Sequence, residues 1–183
     1  LVETSIPRLH AGMKIDIYQL LFPLLRESSN EAGETIAMSY GRNQFIKHMN
    51  EKAKAIGMTH TTFVDPTGVS EENISTAEDM FMLAKYIYNN RSFIFNITSG
   101  KVKTNTYGKS IFSDLGTGNN LSDNESFFGG ISDEKDPSNQ SNLSVLEVKN
   151  GSSIRPIFFV SLMSKNPKGD ILNGLDYLLT RYK

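Results

Sequence analysis

The sequence predicts an α+β fold in which helices pack on an antiparallel sheet. Apolar residues recur at helical spacing through 16–56 and again through 75–90, whereas strand-like runs are concentrated between 126 and 164. A last amphipathic segment, 170–182, is expected to form a helix that packs on the sheet. Helices that come first and strands that come later are typical of α+β domains.

The first two predicted helices, within 16–40, meet at Ser28-Ser29-Asn30. Ser28 and Glu31 match the S-x-x-E capping box, so the local pattern favours Ser28 as the N-cap of the second helix. A joint between two apolar helices also holds polar side chains rigidly, which a catalytic or binding site requires. The residue pattern leaves both interpretations open at this point.

Further helices are predicted before the sheet. The third covers 42–56 and has a regular apolar face. The fourth covers 75–90, with Ser75 and Glu78 as its capping box. The segment 93–102 fits either a strand or a loosely packed helix end.

Four segments are predicted as strands. Segment 59–69 is rich in β-branched residues and ends in an Asp-Pro-Thr-Gly turn. The polar stretch 104–140 is expected to hold a long loop and one strand near 126–132. Strands 143–149 and 155–164 follow, joined by a hairpin turn. Because 155–164 is almost continuously apolar, it is predicted to be central and covered on both faces.

Composition limits the classes of function. The 183 residues are expected to form a single domain, 1–183, with a net charge of −1. That charge gives no electrostatic basis for binding nucleic acid or an anionic membrane. No apolar run reaches the roughly 18 residues that a membrane span needs. The chain has no cysteine, and its three histidines lack metal-binding spacing, so we expect no metal site.

The order of three segments is specific. LLFPLLRESSNEAGETIA at 20–37 is followed by GMTHTTFVDPTGVSEENISTAEDM at 57–80 and FFGG at 127–130, and then by two strands and a last helix. This order resembles the D-alanyl-D-alanine carboxypeptidase family. These are the low-molecular-weight penicillin-binding proteins, which share a fold with serine β-lactamases. The resemblance covers essentially the whole chain.

The resemblance implies a β-lactamase/transpeptidase-like fold and a set of functional expectations. The family acts on peptidoglycan stem peptides through a serine ester, without a metal or cofactor. The expected partners are therefore a stem peptide and β-lactams. The expected location is extracytoplasmic, in the bacterial cell envelope or secreted.

The family uses three motifs, S-x-x-K, S-x-N and K-T-G. Ser28-Ser29-Asn30 matches the second motif. The resemblance thus makes Ser28 the relay hydroxyl and Asn30 the amide that hydrogen-bonds substrate, and it reverses the preference for a simple cap. Gly130 and Ser132 are implied as substrate-binding residues at the position of the third motif.

The third motif departs from the family pattern. Where the family reads Gly-Gly-Lys-Thr-Gly, this chain reads Gly129-Gly130-Ile131-Ser132-Asp133. Removing a cation that pairs with a desolvated substrate carboxylate loses about 2–5 kcal/mol. Asp133 adds like-charge repulsion where the ligand should lie. We therefore expect impaired or absent catalysis in this chain.

The first motif is also missing from its expected place. The one match to S-x-x-K, at 132–135, follows S-x-N instead of preceding it, and about one chance match is expected from the Ser and Lys content. The nucleophilic serine and its lysine are therefore expected before Leu1, and the chain is expected to be the S-x-N-onward portion of the domain.

Three functional hypotheses follow. The chain is part of an active carboxypeptidase, or a catalytically degenerate module that binds peptidoglycan or acts as a scaffold, or a β-lactamase-like hydrolase, for which no second carboxylate motif can be assigned. Because the family completes its sheet with strands that precede S-x-x-K, an open sheet edge is expected here. Its partner would be a complementing N-terminal segment or a second copy.

Overall fold

The computed structural model describes residues 8–103, 112, 115–133 and 136–181. In this part of the chain, helices precede a three-stranded sheet and one helix follows it. Their bounds are α1 Ile17–Glu27, α2 Asn30–Tyr40, α3 Arg42–Ala55, α4 Ala77–Asn90, α5 Phe93–Thr98, β1 Phe127–Asp133, β2 Gln140–Asn150, β3 Ser153–Ser164 and α6 Pro167–Arg181. The predicted α+β order is confirmed, and 93–102 contains a helix.

The sheet is antiparallel, with strand order β1-β2-β3. β2 therefore lies between the other two strands, and its Val145 and Leu146 are fully buried. Among the described strands, 155–164 is therefore not the central one, contrary to the prediction. β3 is at the edge of the described sheet, so the apolar residues in its middle are only half-buried.

Helices cover both faces of the sheet. Consecutive strand residues point to opposite faces, so neighbouring residues of β2 contact different helices. Leu146 belongs to a cluster with Ile171 and Leu175 of α6, while Val145 packs with Ala84 of α4 and Phe95 of α5. Fully burying one such large apolar side chain contributes about 1.5–3 kcal/mol. This packing holds β1 and β2 rigidly between two helical layers.

The segment 59–69 is not a strand, contrary to the prediction. Its one bridge joins Thr62 to Ile74. Its backbone is satisfied mainly by side chains: Asn50 bonds both the N–H and the carbonyl of Phe63, at 2.8 and 2.7 Å. Because these groups already have partners, β propensity does not lead to a sheet here.

The cap of α4 differs from the predicted one by one residue. Thr76 is the N-cap, and its hydroxyl accepts from the N–H of Asp79 at 3.1 Å. Ser75 instead hydrogen-bonds the Thr61 hydroxyl at 2.8 Å. Asp79, which is buried, accepts from the Thr61 hydroxyl as well, so this helix start is tied to the preceding loop.

Candidate active site

The two serines at the joint between α1 and α2 have different structural roles. Ser29 is the N-cap of α2: its hydroxyl oxygen accepts from the N–H of Ala32 at 3.2 Å and its O–H donates to Glu31 at 3.0 Å. Ser28 ends α1 in the left-handed conformation, with φ 52° and ψ 40°. The prediction that Ser28 caps α2 is therefore wrong, because the helix begins one residue later. The Ser28 hydroxyl is left outside the cap.

A cavity of about 490 Å³ opens beside this joint. The residues that line it come from the end of α1, the segment before β1 and the end of β1. They are Arg26, Glu27, Ser28, Gly118, Asn119, Asn120, Ser132 and Asp133. The S-x-N serine and the serine of the altered third motif thus face one cavity.

The other two predicted site residues are buried and do not line the cavity. Asn30 is the first residue of α2 and is buried. Gly130 is also buried, and its N–H donates to the Thr98 hydroxyl at 3.0 Å. A Cβ at Gly130 would meet the Leu143 carbonyl oxygen, so packing against β2 requires a glycine there. Neither residue is among the described residues that line the cavity.

Gly118 joins the two sides of the cavity. Its N–H donates to the Arg26 carbonyl at 3.1 Å, and its own carbonyl accepts from the N–H of Ser132 at 3.3 Å. A Cβ at this position would collide with the Arg26 carbonyl. The absence of a side chain therefore lets α1 and β1 approach closely enough to face each other.

Charged groups at the cavity are largely engaged. The Arg26 guanidinium donates to the carbonyls of Gly116 and Leu115, at 2.6 and 2.5 Å. Burial lowers the pKa of Arg26, and the negative charge of Glu27 acts in the opposite direction. Glu27 in turn forms a two-bond ion pair with Arg8, both bonds at 2.6 Å. Among the described lining residues, Arg26 is the one basic side chain.

A buried polar network lies behind the cavity wall, and sequence reasoning missed it. Ser132 Oγ accepts from Asn142 Nδ2 at 2.7 Å, and Ser144 Oγ donates to Asn142 Oδ1 at 2.5 Å. Asn119 Nδ2 donates to Ser144 Oγ at 3.3 Å. The available signal was the polar residues at alternate positions 142 and 144 within an apolar strand.

The described residues contain no group of three or more His, Cys, Asp or Glu that could hold a metal ion. None of the described helices is long and apolar enough to cross a membrane.

Solved structures with the same fold are penicillin-binding proteins. A penicillin-binding protein homolog from Mycobacterium tuberculosis superposes with a TM-score of 0.76 at 19% identity, over 100% of this chain and 72% of that chain. Penicillin-binding protein D2 from Listeria monocytogenes, in its ampicillin-bound form, gives 0.73 at 22% identity, over 92% and 68%. At these identities the likeness shows the fold, and it confirms the β-lactamase/transpeptidase-like prediction.

Sequence comparison shows the family. The D-alanyl-D-alanine endopeptidase of Pseudomonas aeruginosa is 42% identical over 78 residues, which are 42% of this chain and 25% of that protein. The D-alanyl-D-alanine carboxypeptidase of Bacillus subtilis is 36% identical over 80 residues, 42% of this chain and 21% of that protein. The matched segments thus span about a quarter of these relatives. The sequence model of the D-alanyl-D-alanine carboxypeptidase family matches residues 2–126, and the chain belongs to that family.

Proposed function

We propose that the chain is the S-x-N-onward portion of a domain that binds the D-alanyl-D-alanine end of peptidoglycan stem peptides, and β-lactams, in the bacterial cell envelope. The observation that carries this proposal is that Ser28 and Ser132 line one cavity of about 490 Å³. The family match covers 2–126, which includes the S-x-N motif. The nucleophilic serine and its lysine would come from the segment before Leu1.

Each predicted residue has a defined role in this proposal. Ser28 is the relay hydroxyl, which is consistent with its position outside the α2 cap. Asn30 is the substrate-binding amide and would need to be reached past the lining residues. Ser132 and Gly130 are the substrate-binding residues: Ser132 hydrogen-bonds the ligand, and Gly130, which is buried, keeps the strand that carries Ser132 packed against β2. The chemistry would be acyl transfer through a serine ester, with proton transfer assisted by the Ser28 hydroxyl.

The altered third motif favours binding without efficient turnover. Ile131 is 41% exposed and is not among the described lining residues, whereas Asp133 lines the cavity. A substrate carboxylate would therefore meet no lysine from this strand, and an acidic side chain would stand where the family has a glycine. The Arg26 guanidinium offers only part of its hydrogen-bonding capacity, because two carbonyls already accept from it. A catalytically degenerate peptidoglycan-binding or scaffold module is thus the second candidate function.

A labelling experiment separates the two candidates. The full-length protein that carries this chain is exposed to a fluorescent penicillin, and the labelled residue is identified by mass spectrometry. Labelling of a serine that precedes Leu1, lost in Ser28→Ala, supports the enzyme. Binding of stem-peptide fragments without labelling, weakened by Asn30→Ala, supports the module. A protein that neither is labelled nor binds the fragments contradicts both.

The altered motif can be tested in the same assay. Restoring the family residues with the double substitution Ile131→Lys and Asp133→Gly should raise the labelling rate or the fragment affinity about tenfold or more, as expected for one desolvated ion pair. The control is the double substitution Ser138→Lys and Asn139→Lys, on two exposed positions of the loop between β1 and β2, which adds the same two units of positive charge outside the cavity. An equal effect of both changes would show that net charge alone matters.

The exposed edge of β3 supports a partner strand. In the described sheet, β3 pairs with β2 along one edge only. Apolar side chains near the two ends of β3 are exposed, Ile154 by 57% and Met163 by 73%. An unpaired edge with apolar residues favours strand addition. The occupant would be a complementing N-terminal segment or a second copy. Sedimentation of chain 1–183 alone as a stable monomer, with no binding of the preceding segment, would contradict this.

A further inference from the structure

Four polar side chains form one continuous line of hydrogen bonds between two residues that line the cavity, one in the segment before β1 and one in β1. The line runs from Asn119 through Ser144 and Asn142 to Ser132, and all four residues are buried. Side-chain networks of this kind are costly to bury unless every member is satisfied. The described residues contain no buried side-chain polar atom without a partner. Every buried side-chain nitrogen and oxygen of this network therefore has at least one hydrogen-bond partner.

The direction of each bond follows from one backbone group and one short distance. The N–H of Leu121 donates to Asn119 Oδ1 at 2.9 Å, and a backbone N–H can only donate. The other end of the Asn119 amide must then be its nitrogen, which donates to Ser144 Oγ. Ser144 accepts this bond, and its 2.5 Å separation from Asn142 is typical of O–H···O and too short for N–H···O, so the proton of Ser144 goes to Asn142 Oδ1. Which end of each amide is nitrogen is thus settled by the network.

The same logic fixes the hydroxyl at the cavity wall. With Oδ1 of Asn142 turned toward Ser144, its Nδ2 faces Ser132 and donates to Oγ at 2.7 Å. An amide nitrogen cannot accept a hydrogen bond, so the proton of the Ser132 hydroxyl is directed elsewhere. Ser132 lines the cavity, and the cavity is where that proton can meet an acceptor. Asn142 also donates to Asn120, a second lining residue, at 3.3 Å.

We infer that Asn142 is a positioning residue that holds the Ser132 hydroxyl as a hydrogen-bond donor toward a carboxylate ligand in the cavity. This inference rests on the proposed function and deepens it. Ile131 supplies no charge to the strand that carries Ser132. A hydroxyl whose proton points outward is then the feature of this strand that recognises an anion, because hydrogen bonds to charged acceptors are the stronger kind.

A double-mutant cycle tests the inference in the full-length protein. The probes are acetyl-D-alanyl-D-alanine, which has a free carboxylate, and its C-terminal amide, and the readout is the dissociation constant of each. Asn142→Ala and Ser132→Ala should each weaken binding of the carboxylate probe about tenfold, and of the amide probe about threefold or less. Because Asn142 acts through Ser132, the double variant should be no weaker than either single one.

Two more variants keep the test decisive. Asn139→Ala removes an exposed asparagine from the loop before β2 and should bind as the wild type does. Ser144→Ala removes only the hydroxyl that orients the Asn142 amide, and it serves where Asn142→Ala does not fold. It should weaken the carboxylate probe about two- to fivefold, because the Asn142 amide can then rotate and accept the Ser132 proton.

The outcomes separate this inference from the proposed function. A wild type that binds the carboxylate probe, with folded Asn142 and Ser144 variants that bind it equally well, overturns the inference alone. Additive losses in the cycle also overturn it, since they indicate a structural effect independent of Ser132. A wild type that binds neither probe overturns the proposed function and the inference with it.

Discussion

The loop after Phe63 depends on a single carboxylate. Asp65 is 8% exposed and accepts five hydrogen bonds, at 2.6–2.8 Å. Burial by itself raises the pKa of Asp65, but the hydrogen bonds from Ser70, Thr67 and Asn73 outweigh it and hold the pKa well below the ordinary value of 3.8. Acid should therefore destabilise this loop.

The sign follows from linkage. A carboxylate whose pKa is lowered by folding binds a proton more readily in the unfolded chain, so its stabilisation is present above about pH 4 and is lost as the pH falls below that. Asp65→Asn keeps the shape of the side chain but replaces one carboxylate oxygen by an NH₂ group. The N–H groups that donate to that oxygen in the wild type then have no acceptor there. With hydrogen bonds to a charged group worth about 1.5–3 kcal/mol each, losing two of them costs about 3–6 kcal/mol at pH 7. The midpoint of thermal unfolding should fall by about 10 °C.

The measurement is urea unfolding of the wild type and Asp65→Asn from about pH 7 to about pH 2.5. The difference between their unfolding free energies should be largest at neutral pH and should shrink steadily below about pH 4. Asp136→Asn is the control, because Asp136 makes a similar turn with Ser138 but is exposed, so its loss should be much smaller. A difference that stays constant with pH, or an Asp65→Asn protein as stable as the wild type, would refute the reasoning.

Two further predictions concern the cavity. Gly118→Ala should destabilise the fold by about 1–3 kcal/mol through its collision with the α1 carbonyl, while Gly116→Ala, where a Cβ meets nothing within 4 Å, should be nearly neutral in thermal unfolding. Ser29→Ala should cost about 1 kcal/mol as a lost N-cap, whereas Ser28→Gly should keep or raise stability by up to about 1 kcal/mol, because glycine accepts the left-handed conformation. If Ser28→Gly unfolds more readily than Ser29→Ala, the assignment of the cap is wrong.

The order of the elements could be predicted because it depends on local periodicity. Helical spacing identified α1 to α4 and α6, and the turn residues at 151–152 placed the hairpin between β2 and β3. The family resemblance also predicted that the S-x-N segment and the third-motif strand lie side by side, and the two do line one cavity.

The misses have physical causes that a single sequence does not display. Ser28 and Ser29 both offer a capping hydroxyl, and only the left-handed backbone at Ser28 decides which one caps. The apolar run of β3 would suit a central strand, but strand order depends on pairing partners that lie elsewhere in the chain. The polar residues of β2 look solvent-exposed in the sequence. They are buried because each supplies a bond that another requires.

The third-motif region shows which residues the fold needs and which only a ligand would need. A Cβ at Gly129 would collide with the Phe95 backbone, and one at Gly130 with β2, so these two glycines are required by packing. The positions that depart from the family pattern are less enclosed: Ile131 is 41% exposed, and Asp133 is exposed and lines the cavity. β1 can thus keep its register while the lysine and glycine of the motif are lost. Ser132 keeps both its hydroxyl and the buried network behind it, as the proposed recognition of a hydrogen-bond acceptor in this cavity requires.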